Sequence, residues 1–432
     1  MTDRRNFIKK TSLVTGAALA SPQLFSITKS YSKNDILKIA LVGCGGRGTG
    51  AVAQALQADP NTELVAMADV FEEQITNSLE ALMEVEGIGD RIKVKNTDKY
   101  LGFDAYQKAT DQCDVVILAT PPAFRPEHFE YAVEQGKHVF MEKPLSCDSP
   151  GTRRILDAGK KADDKNLKVV VGLQNRYDPA YEALVTQIQS GMIGKITTAT
   201  CYYMTRGYQL VPRSQTANEL AYQIKNWHFF DWMWAGATGG LQIHNSDIVH
   251  WVKGEYPVSV QGIGGRIGPA VPGTGDSYNH FFLEYIYGDG SRLYDEIRTI
   301  DRTMRKGGSW FTGTKGTANI REGIKDLDGN VLWKYDIPQA QRANPYQVEH
   351  DRFFDSIRKD LPHNDTVFGA HSSHAANMGR MAAETGEEIT WEASLKSDIQ
   401  LAPEITSWDQ NPPILPDDRG IYPFPYQGQK DI

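Results

Sequence analysis

The chain has 432 residues, enough for two or three domains, and its 40% hydrophobic and 23% charged content is that of a globular protein with a sizeable core. A formal net charge of −8 argues against a general nucleic-acid binder, because affinity for a phosphate backbone needs a basic face. Four cysteines without C-x-x-C spacing or a histidine-rich neighbourhood give zinc no support, so no metal is expected.

Residues 1–32 read as a signal segment. Arg4 and Arg5 precede Phe7, Ile8 and Lys9, then a mildly apolar stretch and Ala18-Leu19-Ala20, a pattern similar to a twin-arginine export signal that predicts a periplasmic protein. The stretch is too short for an ordinary membrane span, and no other run has the necessary length, so no stable span is expected.

Residues 33–172 read as a nucleotide-binding Rossmann domain. The β-branched run Lys38 to Val42 predicts a buried strand, followed by Gly43, Gly45 and Gly48 in G-x-G-x-x-G spacing and a helix through Ala51 to Leu56. Gly43 would allow the tight turn, Gly45 close approach of a pyrophosphate, and Gly48 close helix packing, with Gly46 and Arg47 at the helix start beside the phosphates. A second strand, Glu63 to Ala68, ends in Asp69, where a carboxylate would accept the adenine ribose hydroxyls. The residues after it, Val70, Phe71, Glu72 and Glu73, include no base for a 2′-phosphate, so the expected cofactor is NAD. Asp114 to Ala119 predicts a strand, Thr120, Pro121 and Pro122 a turn, and Glu127 to Gln135 a helix. Strands at Lys137 to Met141 and Lys168 to Gly172 follow, the first running into Glu142, Lys143 and Pro144. The alternation implies a doubly wound parallel sheet with ligands at the carboxyl ends of its strands.

Residues 173–397 change rhythm to longer strands at Lys195 to Thr205 and Val258 to Gly264, and a hairpin of Tyr278 to Tyr287 with Ser291 to Ile297. This predicts a second, α+β domain on an open-faced, mainly antiparallel sheet. Helices at Tyr346 to Arg358 and Ser372 to Glu384 follow it, and residues 398–432 form a proline-rich arm. Trp227, His228, Trp232 and Trp234 are dense enough to form a sugar-stacking platform, although such clusters are as often core.

The glycine fingerprint, Asp69, the Ala119-Thr120-Pro121-Pro122 turn, the Glu142-Lys143-Pro144 triplet and Gln174-Asn175-Arg176-Tyr177-Asp178-Pro179 occur in one order. Together they resemble the Gfo/Idh/MocA oxidoreductases over essentially the whole chain after the signal. The resemblance implies a sugar or cyclitol substrate, with Thr120, Pro121, Glu142 and Lys143 beside the cofactor. Lys143 would hydrogen-bond the substrate oxygen and stabilise developing alkoxide charge. It also implies a helix-start motif of an acid, a histidine four residues on and an aspartate three beyond. His244 and Asp247 match the last two, but Gly240 stands where the acid belongs. His244 is the expected acid or base and His228 its reserve, while Arg176, Tyr177, Trp227 and Asp247 are expected substrate contacts.

The leading expectation is an exported oxidoreductase that oxidises a ring hydroxyl of a sugar or glycoside to a ketone. It would hold NAD tightly and form a homo-oligomer. The alternatives are an NAD-dependent glycosidase acting through transient C3 oxidation and elimination, and a non-catalytic sugar-binding protein.

Overall fold

Residues 31–268 and 271–428 are described by a computed structural model, so Arg4, Arg5 and all of the expected signal segment before residue 31 lie outside the described residues. Six strands, β1 (Leu37–Val42), β2 (Thr62–Asp69), β3 (Lys99–Leu101), β4 (Val115–Leu118), β5 (His138–Met141) and β6 (Val169–Val171), form one sheet in the order β3-β2-β1-β4-β5-β6. Every pair in it is parallel. The strand sequences explain why both faces are covered. Ala40, Val42, Val116, Leu118, Val139 and Met141 pack into one core cluster, and Ile39, Leu41, Val115, Ile117 and Phe140 into another. The covering helices are α1 (Gly46–Ala58), α2 (Glu72–Met83), α3 (Ala105–Asp111), α4 (Arg125–Glu134) and α5 (Ser149–Asp164).

After α6 (Pro179–Gln189) the chain builds a nine-stranded sheet from β7 (Ile196–Thr205), β8 (Ser259–Gly265), β9 (His280–Ile286), β10 (Arg292–Thr299), β11 (Lys306–Gly313), β12 (Gly316–Asn319), β13 (Gly323–Asp326), β14 (Val331–Trp333) and β15 (Ile389–Thr390). Its order is β14-β13-β12-β11-β7-β10-β9-β8-β15, and all pairs are antiparallel except β7 with β10. One face buries Ala199, Cys201, Phe281, Leu283, Tyr285 and Leu293. Phe282 and Ile263, on alternate positions, remain exposed, the one-sided pattern expected of an open-faced antiparallel sheet.

Between β7 and β8 lie α7 (Glu219–Lys225), α8 (Asp231–Trp234) and α9 (Ile243–Lys253), the last entered through one π-helical turn at Thr238–Gln242. The late helices α10 (Pro345–Lys359) and α11 (Thr366–Thr385) pack back on the first domain, and α12 (Trp391–Leu395) follows β15. Arg358 on α10 pairs with Asp59 beyond α1 at 2.6 Å, and Gly159 of α5 packs on Thr366 of α11. The helix expected to begin at Ser372 starts six residues earlier, because Asn364 supplies a side-chain acceptor for the Thr366 N–H at 3.0 Å. The arm is extended, with Ile405 and Tyr422 buried against Tyr222, Phe230 and Trp232. All four cysteines are free and buried, and no helix among the described residues is long and apolar enough to cross a membrane.

Candidate active site

The turn after β1 shows why glycine is needed at two positions and what the others leave open. Gly43 has φ of 91°, and a Cβ there would lie 2.6 Å from the Thr120 nitrogen; a Cβ on Gly48 would lie 2.1 Å from the Gly43 carbonyl. At Gly45 and Gly46 an added Cβ would meet nothing within 4 Å. Their backbone instead faces a cavity of about 540 Å³, also lined by Arg47, Asp69, Thr120, Pro121, Trp227 and His228. Gly45 is the N-cap of α1 and has no side chain to satisfy the first helical N–H groups, so these groups and the helix dipole are available to an anion. An elongated dinucleotide with its phosphates at Gly45 and Gly46 fits this cleft.

Asp69, at the end of β2, accepts the Cys44 N–H at 2.7 Å and the Phe71 N–H at 3.0 Å, so it braces the glycine turn while lining the cleft. Burial raises its pKa, opposed by those backbone donors. Arg47 also faces the cleft, but its Nε and Nη2 donate to Glu142 at 2.9 and 2.6 Å, and its guanidinium lies 4.7 Å from the Tyr346 ring centre. Glu142 does not line the cleft: its carboxyl group is buried between Arg47 and Gly172. The fully buried Arg125, absent from the sequence reading, donates to the Pro144 carbonyl at 2.5 Å and to the Thr120 carbonyl. One side chain thus ties the turn after β4 to the turn after β5. Burial lowers its pKa only to about 10, which leaves it charged at neutral pH.

Lys143 follows Glu142 across that second turn, before a cis peptide to Pro144. Its Nζ donates to the Gly240 carbonyl at 2.6 Å, and burial lowers its pKa to about 8. The glycine at the acid position now has a physical reason. A Cβ on Gly240 would lie 1.8 Å from Trp234 Nε1, so the buried indole occupies the space an acidic side chain would need. In place of a carboxylate, the helix start offers Lys143 a backbone carbonyl. His244 lines a different cavity, on the face of the second sheet; its Nδ1 is buried without a partner, and burial, then Lys143, pushes its pKa well below the usual imidazole value.

Several expected substrate contacts are engaged elsewhere. Arg176 forms a two-pronged pair with Asp247 at 2.8 and 2.9 Å, and Asp247 also accepts the Ser372 hydroxyl at 2.6 Å. The Arg176 guanidinium packs 4.0 Å from the Phe368 ring centre, so both residues are locked against α11 and neither reaches a cavity lining. Tyr177 is buried and donates to Asp365 at 2.5 Å, which excludes it as a substrate contact too. Trp227 and His228 line the cofactor cleft and not the sheet-face cavity. The His228 ring is held between Tyr208 and Trp227, at 3.9 and 3.7 Å between ring centres, and burial lowers its pKa to about 3. It is a neutral wall of the cleft, which removes it as the reserve acid or base. Trp232 is core, its Nε1 donating to Gln223 at 2.8 Å.

The sheet-face cavity measures about 1440 Å³, and besides His244 it is lined by Asn175, Tyr203, Lys306 and Tyr346. None of these four was singled out as a site residue from the sequence. Asn175 lay in the recognised Gln174 to Pro179 stretch, but Tyr203 and Lys306 come together only through the pairing of β7 with β11. Tyr346 joins the two cavities by carrying the Arg47 guanidinium on its ring.

Residues 37–172 match the Gfo/Idh/MocA family model, described as an oxidoreductase family with an NAD-binding Rossmann fold. The chain is 27% identical over 224 residues to an inositol 2-dehydrogenase of Rhizobium meliloti (strain 1021), covering 52% of this chain and 57% of that enzyme, so it spans about half the relative's length. It is 28% identical over 393 residues to an inositol 2-dehydrogenase of Rhodococcus jostii (strain RHA1), covering 85% of this chain and 96% of that one. A levoglucosan dehydrogenase solved with NADH and levoglucosan shares the fold with a TM-score of 0.64 at 19% identity, over 82% of this chain and 99% of its own.

Proposed function

From the match of residues 37–172 to the NAD-binding Rossmann fold of the Gfo/Idh/MocA oxidoreductases, we propose that the chain is an NAD-dependent oxidoreductase that converts a ring carbinol of a sugar or glycoside to a ketone. The observation that carries this is Lys143. It follows β5, next to the turn after β4 that lines the cofactor cleft, and its Nζ donates at 2.6 Å to the Gly240 carbonyl, four residues before the His244 that lines the sheet-face cavity, so it bridges the elements that wall the two cavities. The named activities of the inositol and levoglucosan dehydrogenases support the substrate class.

Bound NAD supplies the hydride acceptor. Gly45 and Gly46 would hold its phosphates, Asp69 its adenine ribose, and Thr120 and Pro121 the wall beside it. As the carbinol C–H electron pair leaves, the hydroxyl proton needs an acceptor, and a lysine with a pKa near 8 serves close to neutral pH. The Gly240 carbonyl holds one Nζ hydrogen, which fixes the amine while its remaining valences serve the substrate. His244, uncharged at working pH, orients the hydroxyl by hydrogen bonding and does not carry the proton.

Tight retention of NAD is supported by the cleft's outer wall. Lys225 of α7 pairs with Glu73 at 2.7 Å and lies 4.8 Å from the Phe71 ring centre, and Trp408 of the arm packs on Phe71 and Phe103. These elements would have to part before the nucleotide left. The Arg4 and Arg5 pair supports export of a folded, loaded enzyme, which replacement of both by lysine would abolish in a fractionation assay. The direct test of function is to incubate the purified protein with a panel of sugars and glycosides and follow nicotinamide reduction and keto-sugar mass. Reduction coupled to loss of two hydrogens from one sugar is expected; absence of both across the panel contradicts the proposal.

A further inference from the structure

The sheet-face cavity carries a charge balance opposite to that of the whole chain. Arg305, Lys306, Arg321, Lys334 and Arg342 line it against Asp178 and Asp336, five cations to two carboxylates in a protein of net charge −8. Among the described residues none of the five forms an ion pair. Asp178 is already engaged as the N-cap of α6, accepting the Ala180 N–H at 2.8 Å. The hydrogen-bonding and ring partners of the cations are neutral, and Glu322, the carboxylate that Lys334 influences, is itself paired with Lys325. Arg321 donates to the Gly307 carbonyl at 3.0 Å, Arg342 to the Ile337 carbonyl at 3.1 Å, and Lys306 sits 3.3 Å from the Tyr202 ring centre. Arg305 and Lys334 are exposed with no hydrogen bond. Surface arginines elsewhere do find carboxylates, as Arg352 does with Glu182 and Arg213 with Glu219.

Gathering five like charges against two carboxylates, with none of the five in an ion pair, is unfavourable unless a ligand supplies the opposite sign, and a concave wall of mainly one sign concentrates ligands of the other. A neutral cyclitol or monosaccharide asks for no such wall. The volume points the same way, since about 1440 Å³ exceeds the roughly 300–1,000 Å³ of a pocket for one drug-sized ligand.

We propose that the substrate is an anionic saccharide of more than one ring, whose carboxylate or sulfate groups are held by Arg305, Arg321, Lys334 and Arg342 while the ring to be oxidised lies beside His244. The assignment of the reacting ring rests on the oxidoreductase reading above. Binding is tested without turnover, by calorimetry of the full chain loaded with NADH, which cannot accept a hydride, with three probes: a galacturonic acid trimer, its fully methyl-esterified counterpart and a sulfated galactose trimer. At least one anionic trimer should bind ~10-fold or more tighter than the neutral ester, and that advantage should fall as salt is raised. Whichever anion binds better identifies carboxylate or sulfate as the group recognised. The double variant Arg305→Gln/Lys334→Gln should lose most of the advantage and leave the ester's affinity unchanged. Equal affinity for charged and neutral trimers, no binding of either anion, or an advantage insensitive to both salt and the variant overturns the proposal. Selective anion binding without nicotinamide reduction would uphold this inference and count against the redox reading. Nicotinamide reduction by neutral sugars without anion preference would do the reverse.

Discussion

Substituting Gly240 tests the reason this chain lacks an acid at the helix start. In Gly240→Ala the new Cβ would lie 1.8 Å from Trp234 Nε1 and 2.4 Å from Cε2, whereas ordinary contact begins at 3.4 Å, so the indole would have to retreat by about 1.6 Å. It has little room to do so, being 2% exposed and packed edge-on against Tyr208 and His228. Overpacking of this kind costs ~1–3 kcal/mol, and the overlap here belongs at the upper end. At ~2–4 °C per kcal/mol for a domain of this size, the melting midpoint should drop by ~6–12 °C. Trp234→Leu will itself destabilise by leaving a void, but combined with Gly240→Ala it should cost ~1–3 kcal/mol less than the sum of the two, because each change removes the other's conflict. Differential scanning calorimetry of the four proteins reads both quantities. A Gly240→Ala protein melting within ~1 °C of the native one, or strict additivity in the cycle, would refute the packing account.

Three further outcomes follow from the site. With the neutral amine of Lys143 as the proposed proton acceptor and its pKa lowered by burial to about 8, turnover should rise with pH through about 8 and then level. Lys143→Ala should lose ~10²-fold or more in turnover with little change in NAD content, and His244→Ala should slow the reaction without moving the limb; a limb that disappears in His244→Ala would return the proton to the imidazole. Asp69→Ala should weaken NAD ~10-fold or more, since it removes the ribose acceptor and the brace on the Cys44 N–H; titrations in which NADP binds the native protein more tightly than NAD would contradict the assignment. Arg125→Met should destabilise by ~1–3 kcal/mol for each carbonyl it orphans, at Thr120 and Pro144, and should lower turnover through a displaced Lys143. Unchanged melting and turnover would show that Arg125 does not set the two turns.

The nucleotide half was the most legible part of the sequence because its signals are local. Leu37–Val42, the three glycines and Asp69 lie within one β-α-β unit, and each residue's placement follows from its own backbone position. The second domain yielded its main strands but not its site. Arg176 and Asp247 looked like pocket residues because they are polar and flank the domain junction, yet their geometry pairs them with each other, and no local pattern reveals a partner 71 positions away. The cations of the sheet-face cavity are spread from Arg305 to Arg342 and become a wall only when β11, β12 and the segment after β14 come together, so no run of basic residues announced them. Gly240 was readable as a departure from a pattern. Its cause, the Trp234 indole, required the π-helical turn that brings the two together.

The central claim is that one chain joins an NAD cleft to a saccharide cavity through Lys143, and the most direct measurement is a single-turnover reaction on the protein as purified. Native protein saturated with NAD and mixed with a substrate from the panel should form one equivalent of reduced nicotinamide, matched by one equivalent of keto-sugar, and Lys143→Ala should bind both partners yet form neither product at more than ~1% of the native rate. A Lys143→Ala protein that reduces nicotinamide at the native rate would contradict the account.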